Sequence, residues 1–280
     1  MERFGKIIQL FLVDGTPNGR WICELSNWTG IAYKLPRNHI KESEKRQELS
    51  SPGIYFLFGK DDSESRPVVY IGEAESIIAR LKQHLDGKDY WNEAIVFISK
   101  DDNLNKAHIK YLENRFHAIA TQSNRYTVKN AATPTRSTIS EAEQAQLEEF
   151  IYNAKIMVNT LGHKVFEAIV ADDSGQDQSQ YFYIKVAGLK ATGLVTSEGF
   201  VVLNGSTIHK SPALKSLTPG MLKTIEKYKQ DEKVIDSVVQ EDILFSSSSA
   251  AAGFVLGYSA SGPQTWKDTN GRSLKEIEGR

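Results

Sequence analysis

The sequence predicts an α+β protein with two globular regions, and three observations support this fold class. The chain has 280 residues, of which 40% are hydrophobic and 25% are charged, an ordinary globular composition. At roughly 100–200 residues per domain, this length suggests about two domains. Pairs of β-prone runs joined by turn residues predict hairpins, and separate stretches with apolar residues at helical spacing predict helices.

Composition excludes several classes of protein. The 34 Lys+Arg and 35 Asp+Glu residues give a net charge of −1, whereas a dedicated nucleic-acid binder is usually more basic. An enzyme acting on nucleic acid can still be neutral overall if its positive charge is local. The single cysteine, Cys23, excludes an internal disulfide or a thiolate zinc cluster and fits a reducing compartment. The apolar run at residues 7–13 is too short to span a membrane, so we expect a cytoplasmic protein without a membrane segment.

The N-terminal elements follow in order. Residues 6–13 and 20–26 are β-prone and flank the turn residues 14–19, which predicts a β-hairpin. Residues 36–50 are polar after Pro36 and are predicted to be helical, which completes an N-terminal region at residues 1–49. Two further strands, at residues 54–58 and 68–71, predict a second hairpin with a long polar loop.

Helical periodicity dominates the middle of the chain. Apolar stripes predict helices at residues 74–86 and 104–120, with a strand at residues 94–98 between them. A polar loop at residues 124–138 follows. Ser140 and Glu143 form a capping-box pattern that starts a connecting helix, assigned to residues 136–162. The remainder, residues 163–280, is predicted to be a small α+β domain with strands near 181–203 and helices at 218–230 and 246–256.

Five side chains in the first half fit simple packing poorly when they are taken together. Tyr55 and Tyr70 lie on adjacent predicted strands, beside Gly53 and Gly72 respectively. Arg80 and His84 are four residues apart, so they share one helix face beside the apolar stripe. Glu113 borders the apolar stripe of the next helix, and a carboxylate is rarely buried without a partner, a proton or a metal ion.

These residues resemble the motif set of the GIY-YIG nuclease family. Pro52-Gly53-Ile54-Tyr55 and Val69-Tyr70-Ile71-Gly72-Glu73 match the two strand motifs that name the family. Arg80, His84, Glu113 and Asn130 fall at its arginine, histidine, glutamate and asparagine positions. The resemblance covers about residues 50–132. It implies a nuclease core at residues 50–135, made of a three-stranded antiparallel sheet with packed helices.

The resemblance also implies a chemistry, metal-dependent hydrolysis of phosphodiester bonds in DNA by an endonuclease. Glu113 would bind one Mg²⁺, for which Mn²⁺ would substitute, because Mg²⁺ prefers hard oxygen ligands and retained waters. Arg80 would stabilise the charge that develops on the phosphoryl group, and Tyr70 would orient water or a phosphate oxygen. Either Tyr55 or His84 would act as the base. Candidate substrate-binding residues are Gly72, Lys110 and Asn130.

One feature departs from the pattern, since the acidic loop at residues 61–66 adds negative charge near a site expected to receive a phosphodiester. The C-terminal stretch at residues 245–257, with Thr265-Trp266-Lys267, resembles a domain of unknown function that commonly trails bacterial GIY-YIG proteins. We expect that domain to recognise substrate or a partner. Trp266 and Tyr258 would either stack on bases or belong to the core.

Several alternatives stay open at the level of sequence. The fold could persist as a catalytically silent nucleic-acid-binding module, or the enzyme could act on RNA instead of DNA. The strandedness of the substrate and the oligomeric state are also open. A homodimer or an accessory protein would each be compatible with one active site per chain.

Overall fold

A seven-stranded sheet organises the first of two units in the computed structural model, which describes residues 4–64, 66–170, 180–186, 188–213 and 216–279. The two units divide the chain into Met1–Ala168 and Ile169–Arg280. The strands of the first unit are β1 (Ile8–Leu12), β2 (Trp21–Leu25), β3 (Gly30–Pro36), β4 (Gly53–Gly59), β5 (Val68–Ala74), β6 (Trp91–Ser99) and β7 (Thr127–Val128). Their order in the sheet is β1-β2-β3-β6-β4-β5-β7.

The sheet is larger than the three strands predicted. The expected trio β6-β4-β5 is present and antiparallel, and the predicted N-terminal hairpin is confirmed by pairing of β1 with β2. However, β3, which the sequence analysis did not assign, pairs with both β2 and β6. The hairpin is therefore continuous with the central sheet. The short strand β7 pairs in parallel with β5.

Residues 36–50 do not form the predicted α-helix. They form three consecutive 3-10 turns at Arg37–His39, Glu42–Lys45 and Gln47–Ser50, none of which has a side-chain N-cap. The segment has no sustained apolar stripe, so nothing holds it as one helix against the core. Only isolated residues, Ile40, Ser43 and Leu49, are buried.

Helices cover both faces of the central strands. The helices are α1 (Ile77–Gly87), α2 (Lys106–Ser123) and α3 (Glu141–Thr160). Alternate residues of β4 point to opposite layers: Phe56 packs in a cluster with α2 and α3, whereas Tyr55 packs in a cluster with α1. The predicted capping box is confirmed, because Ser140 and Glu143 bond reciprocally at the start of α3.

The second unit combines an antiparallel sheet with short helices. Its strands are β8 (Tyr181–Val186), β9 (Leu189–Thr196), β10 (Gly199–Val202), β11 (Val234–Ile235), β12 (Val238–Val239) and β13 (Ile243–Phe245). Its helices are α4 (Pro219–Gln230), α5 (Ser248–Leu256), α6 (Gly262–Thr265) and α7 (Leu274–Ile277). The order β13-β10-β9-β8 leaves β11 and β12 as a separate ribbon. The predicted α+β class is thus confirmed for the described residues.

None of the helices in the described part of the chain has the length and apolar character needed to cross a membrane. Residues 171–179, which fall in the predicted C-terminal domain at residues 163–280, lie outside the described residues.

Candidate active site

The core of the candidate site is a hydrogen bond between two buried side chains. Tyr55 on β4 points into the α1 layer, and its hydroxyl lies 2.7 Å from Nε2 of His84 on α1. The tyrosine has no exposed surface, and His84 is 5% exposed. The strand and the helix therefore hold a phenol and an imidazole together away from bulk water, which strengthens the bond between them.

Gly72 makes room for this tyrosine. It lies directly opposite Tyr55 in the β4–β5 register. A Cβ atom at position 72 would stand 2.3 Å from the hydroxyl oxygen of Tyr55, far inside van der Waals contact. The structure thus places Gly72 behind the tyrosine, where it fixes the ring position. The expected role of Gly72 in substrate binding stays a prediction.

Two half-buried side chains cover the buried pair. Arg80 Nε donates to the Tyr55 hydroxyl at 3.4 Å, and Arg80 Nη1 donates to Gln83 Oε1 at 2.8 Å. The ring of Tyr70 lies 6.2 Å from that of Tyr55 and 5.3 Å from that of His84, measured between centroids. Arg80 and Tyr70 are accordingly the members of this group that solvent, and therefore a substrate, can reach.

Burial sets the protonation of the pair. The pKa of His84 is lowered to about 4, mainly by burial and further by the positive charges of Lys88 and Arg80. Burial raises the pKa of Tyr55, although its bond to Arg80 acts in the opposite direction. At neutral pH the phenol keeps its proton and the imidazole is neutral. The Tyr55 hydroxyl can then donate to His84 while it accepts from Arg80.

Glu113 lies on α2 and is half-buried. Its pKa is raised to about 7, mainly by burial and then by the negative charge of Glu73. A backbone hydrogen bond from Glu73 and the positive charges of Arg80 and Lys110 act in the opposite direction. The carboxylate also contributes to the raised pKa of Tyr55, so it lies within electrostatic range of the buried pair.

Asn130 bonds the edge of β5 just beyond the short strand β7. The short strand β7 pairs only with Val68 and Val69 of β5. Beyond it, the amide of Asn130 bonds both backbone groups of Ile71: Oδ1 accepts from the N–H at 3.1 Å and Nδ2 donates to the C=O at 2.8 Å. Asn130 therefore holds β5 in place, and its expected role in substrate binding stays a prediction.

The acidic loop before β5 is neutralised locally. Lys129 Nζ lies 2.8 Å from a carboxylate oxygen of Asp61 and 2.7 Å from one of Glu64. These contacts lower the pKa of both carboxyls. The negative charge that the sequence analysis flagged is thus bound to an ammonium group beside Asn130.

A metal ion would find few protein ligands at this site. No group of three or more histidine, cysteine, aspartate or glutamate side chains within the described ranges could hold a metal ion. The neighbouring carboxyls of Glu113 and Glu73 are nevertheless mutually repulsive, and an ion between them would relieve that repulsion. This donor set fits Mg²⁺, which is usually bound by one or two carboxylates together with waters and phosphate oxygens.

Sequence reasoning missed two residues of this region. Lys88 places its ammonium 3.3 Å from the centroid of the Tyr70 ring, in cation–π geometry. Arg80 and His84 share a face of α1, and Lys88 follows four residues later as the extended residue that ends this helix, so its charge next to this face was the available signal. Glu73 stood inside the second strand motif, and its position one residue after Gly72 puts it on the opposite face, towards α2.

The second unit contains no comparable cluster of buried catalytic groups among its described residues. Trp266 is fully buried, and its Nε1 donates to the Ser248 carbonyl at 3.0 Å, so it belongs to the core. Tyr258 is 43% exposed. Residues 182–278 match a family described as a domain of unknown function (DUF4357), which confirms the expected C-terminal domain. Comparison with curated proteins and with solved structures gave no match for the chain.

Proposed function

We propose that the first unit is a GIY-YIG-type endonuclease that hydrolyses phosphodiester bonds in DNA with the help of Mg²⁺ or Mn²⁺. One observation carries the proposal: the buried bond between Tyr55 and His84 lies beneath Arg80, within electrostatic range of the half-buried Glu113. A packing core has no need for this combination of phenol, imidazole, guanidinium and carboxylate.

Arg80 contacts a nonbridging oxygen of the scissile phosphate. Its guanidinium is planar, always charged and partly accessible, and Tyr55 orients it from below. Its positive charge stabilises the additional negative charge of the transition state.

Proton transfer is assigned to the Tyr55–His84 pair together with Tyr70. The half-buried Tyr70 orients the attacking water. The neutral Nε2 of His84 accepts the hydrogen bond of the buried pair, because burial keeps the proton on the Tyr55 phenol and keeps the imidazole uncharged. The Tyr55 hydroxyl lies between His84, to which it is bonded, and the partly accessible Arg80.

The carboxyl of Glu113, with Glu73 beside it, would hold the metal ion. When bound, the ion supplies Lewis-acid stabilisation of phosphate charge and lowers the pKa of a bound water. Lys110, exposed one helical turn before Glu113, adds positive charge on the side from which the DNA backbone approaches.

The test is cleavage of supercoiled plasmid, linear duplex, single-stranded DNA and RNA, with Mg²⁺ or with EDTA. We expect metal-dependent cleavage by the wild type, and a loss of about 100-fold or more in Glu113→Gln and in Arg80→Ala. Glu149→Gln, an identical change at an exposed position of α3, is the matched control and should cleave normally. Undiminished cleavage by Glu113→Gln would refute the proposal, as would absence of cleavage on all four substrates.

A second comparison separates the roles of the buried pair. If His84 is the acceptor, His84→Ala should lose most of the cleavage rate, while Tyr55→Phe, which keeps the ring and loses the hydroxyl, should lose a similar factor. Full activity of Tyr55→Phe together with an inactive His84→Ala would exclude Tyr55 from proton transfer. Folding of each variant is checked by its thermal unfolding transition.

A further inference from the structure

One face of the second sheet carries aromatic and basic side chains that the core does not use. The β8–β9 register sets Tyr183 opposite Thr192 and Lys185 opposite Lys190. Residues that are directly opposite in an antiparallel pair lie on the same face, and so do residues two apart along a strand. Tyr181, Tyr183, Lys185 and Lys190 therefore share a face, and an isolated bridge brings Lys267 beside Tyr183.

The reverse face of the same strands is the core. Phe182, Ile184 and Ala191 are 1–3% exposed and pack in the hydrophobic cluster of the second unit. By contrast, Tyr181 is 43% exposed, Tyr183 is half-buried and the lysines are exposed. Burial thus accounts for one face of β8, whereas on the other face the only buried residue among the described β8–β9 pairs is Leu194, opposite Tyr181.

The pairing of Lys185 with Lys190 costs free energy. Like charges directly opposite each other in an antiparallel pair are destabilising. Within the part of the chain that the structure describes, no acidic side chain forms an ion pair with either lysine. Lys267 has Glu276 within electrostatic range, so Lys185 and Lys190 contribute most of the unneutralised positive charge. An unneutralised pair of this kind is suited to an anion that approaches from outside.

The tyrosines limit which anion fits. The Lys185 ammonium lies 5.3 Å from the centroid of the Tyr183 ring. Tyr181 and Tyr183 are two residues apart on one strand, so their rings are spaced by roughly 6.6 Å along it. Aromatic rings on which bases stack, flanked by lysines that follow a phosphate backbone, are the elements of single-strand binding surfaces.

We propose that this face, made of Tyr181, Tyr183, Lys185, Lys190 and Lys267, binds single-stranded nucleic acid. Tyr181 and Tyr183 stack on unpaired bases, and the lysines contact the phosphates. A duplex fits less well because its bases are already stacked and paired. The inference names a ligand class for the second unit, and it stands or falls independently of cleavage by the first.

The experiment measures binding by the full chain in EDTA, so that cleavage cannot interfere. Fluorescein-labelled 20-mers of thymidine, of uridine and of a mixed-sequence duplex are titrated, and anisotropy is recorded at several salt concentrations. We expect the single strands to bind more tightly than the duplex, with an affinity that falls as salt rises. The two single strands show whether the sugar matters.

Three variants dissect the surface. Lys185→Glu combined with Lys190→Glu should weaken binding at least tenfold and reduce the salt slope by about 1.4, roughly 0.7 for each phosphate contact. Tyr181→Ala should weaken binding roughly fivefold or more without changing the salt slope, and Tyr181→Phe should retain it. Lys210→Glu combined with Lys223→Glu changes the charge equally at exposed positions elsewhere in the unit, and it should lose much less.

Three outcomes would overturn the proposal: no binding of either single strand, equal losses in the two double variants, or a preference for duplex that is unaffected by Tyr181→Ala. Because all substituted side chains lie on the surface, the variants should fold, and unfolding curves check this. Binding is measured in EDTA and cleavage in Mg²⁺, so failure of this proposal is distinguishable from failure of the nuclease proposal.

Discussion

The central strand β4 of the first sheet is buried on both faces, whereas the strand β8 of the second sheet is buried on one. In β4 of the first unit every residue except the last is buried, because helices or 3-10 turns cover both faces. In β8 of the second unit, buried residues occur only on one face. Polar groups of the first sheet must therefore find partners inside the protein, as Tyr55 does. Polar groups on the exposed face of the second sheet remain accessible to a ligand from solution.

This difference means that substitutions in the first site should change stability as well as activity, whereas those on the β8 face should change binding and have only a small effect on stability. Four substitutions test the contrast, in decreasing order of expected effect.

The largest effect is expected for Gly72→Ala. The added Cβ would stand 2.3 Å from the hydroxyl oxygen of the buried Tyr55, so ring or strand must move. Overpacking of this kind costs about 1–3 kcal/mol. Urea denaturation should show that loss, while Gly87→Ala, at an open position at the end of α1, should be neutral or slightly stabilising. Equal stability of the two variants would contradict the close approach.

Glu113→Gln should stabilise the folded protein at pH 8 in EDTA. The Glu113 carboxyl holds its proton more tightly in the folded chain, where its pKa is about 7, than in the unfolded chain. The unfolded state thus binds fewer protons between about pH 4.5 and pH 7, and wild-type stability falls as pH rises through that range. Allowing for solvent screening, the variant should gain about 1–2 kcal/mol at pH 8.

The pH series supplies its own control. The gain should shrink towards zero at pH 4.5, where the wild-type carboxyl is protonated in the folded state. A gain that does not depend on pH would mean that ionisation of Glu113 is not its cause.

Asn130→Ala should cost about 1 kcal/mol, because it removes two hydrogen bonds to the backbone of Ile71. Amide hydrogen exchange gives the sharper measurement, since the Ile71 N–H should lose protection while the Val96 N–H in the sheet interior should not. Unchanged protection at Ile71 would show that another group holds this edge.

The smallest effect is expected for Lys185→Gln. Removing one member of the cross-strand lysine pair should stabilise the second unit by a few tenths of a kcal/mol at low salt. Calorimetry at low salt and at 1 M salt checks this, because screening should abolish the gain. Lys210→Gln is the control. A clear loss of stability in Lys185→Gln would place this lysine in the fold and weaken the comparison between the two sheets.

Local sequence signals predicted most of the helices and the hairpins. The cap at Ser140 and the apolar stripes of α1 and α2 depend on neighbours three or four residues away, so a sequence displays them directly. The strand β3 was missed because its pairing with β6 joins residues 57 to 69 positions apart, and no local sequence signal reflects that pairing.

The same distinction applies to the candidate site. Motif positions brought Tyr55, Tyr70, Arg80 and His84 to attention, and the structure brings these four side chains together. Their burial could not be predicted, since it depends on how α1 lies on the sheet. The contacts of Gly72 with Tyr55 and of Asn130 with Ile71 could not be predicted either, because they depend on the strand register and on where the chain runs after β7.

Asn130 makes β5 sensitive to a distant part of the chain. The side-chain amide of Asn130 accepts one hydrogen bond and donates another, as the backbone of one further residue of β7 would. The pairing of β5 is thereby extended from Val69 to Ile71 without a longer β7, and Glu73 lies beyond the paired part of this edge. A residue inserted between Val128 and Asn130 would therefore move this amide away from Ile71 and leave both backbone groups of Ile71 on this edge without it.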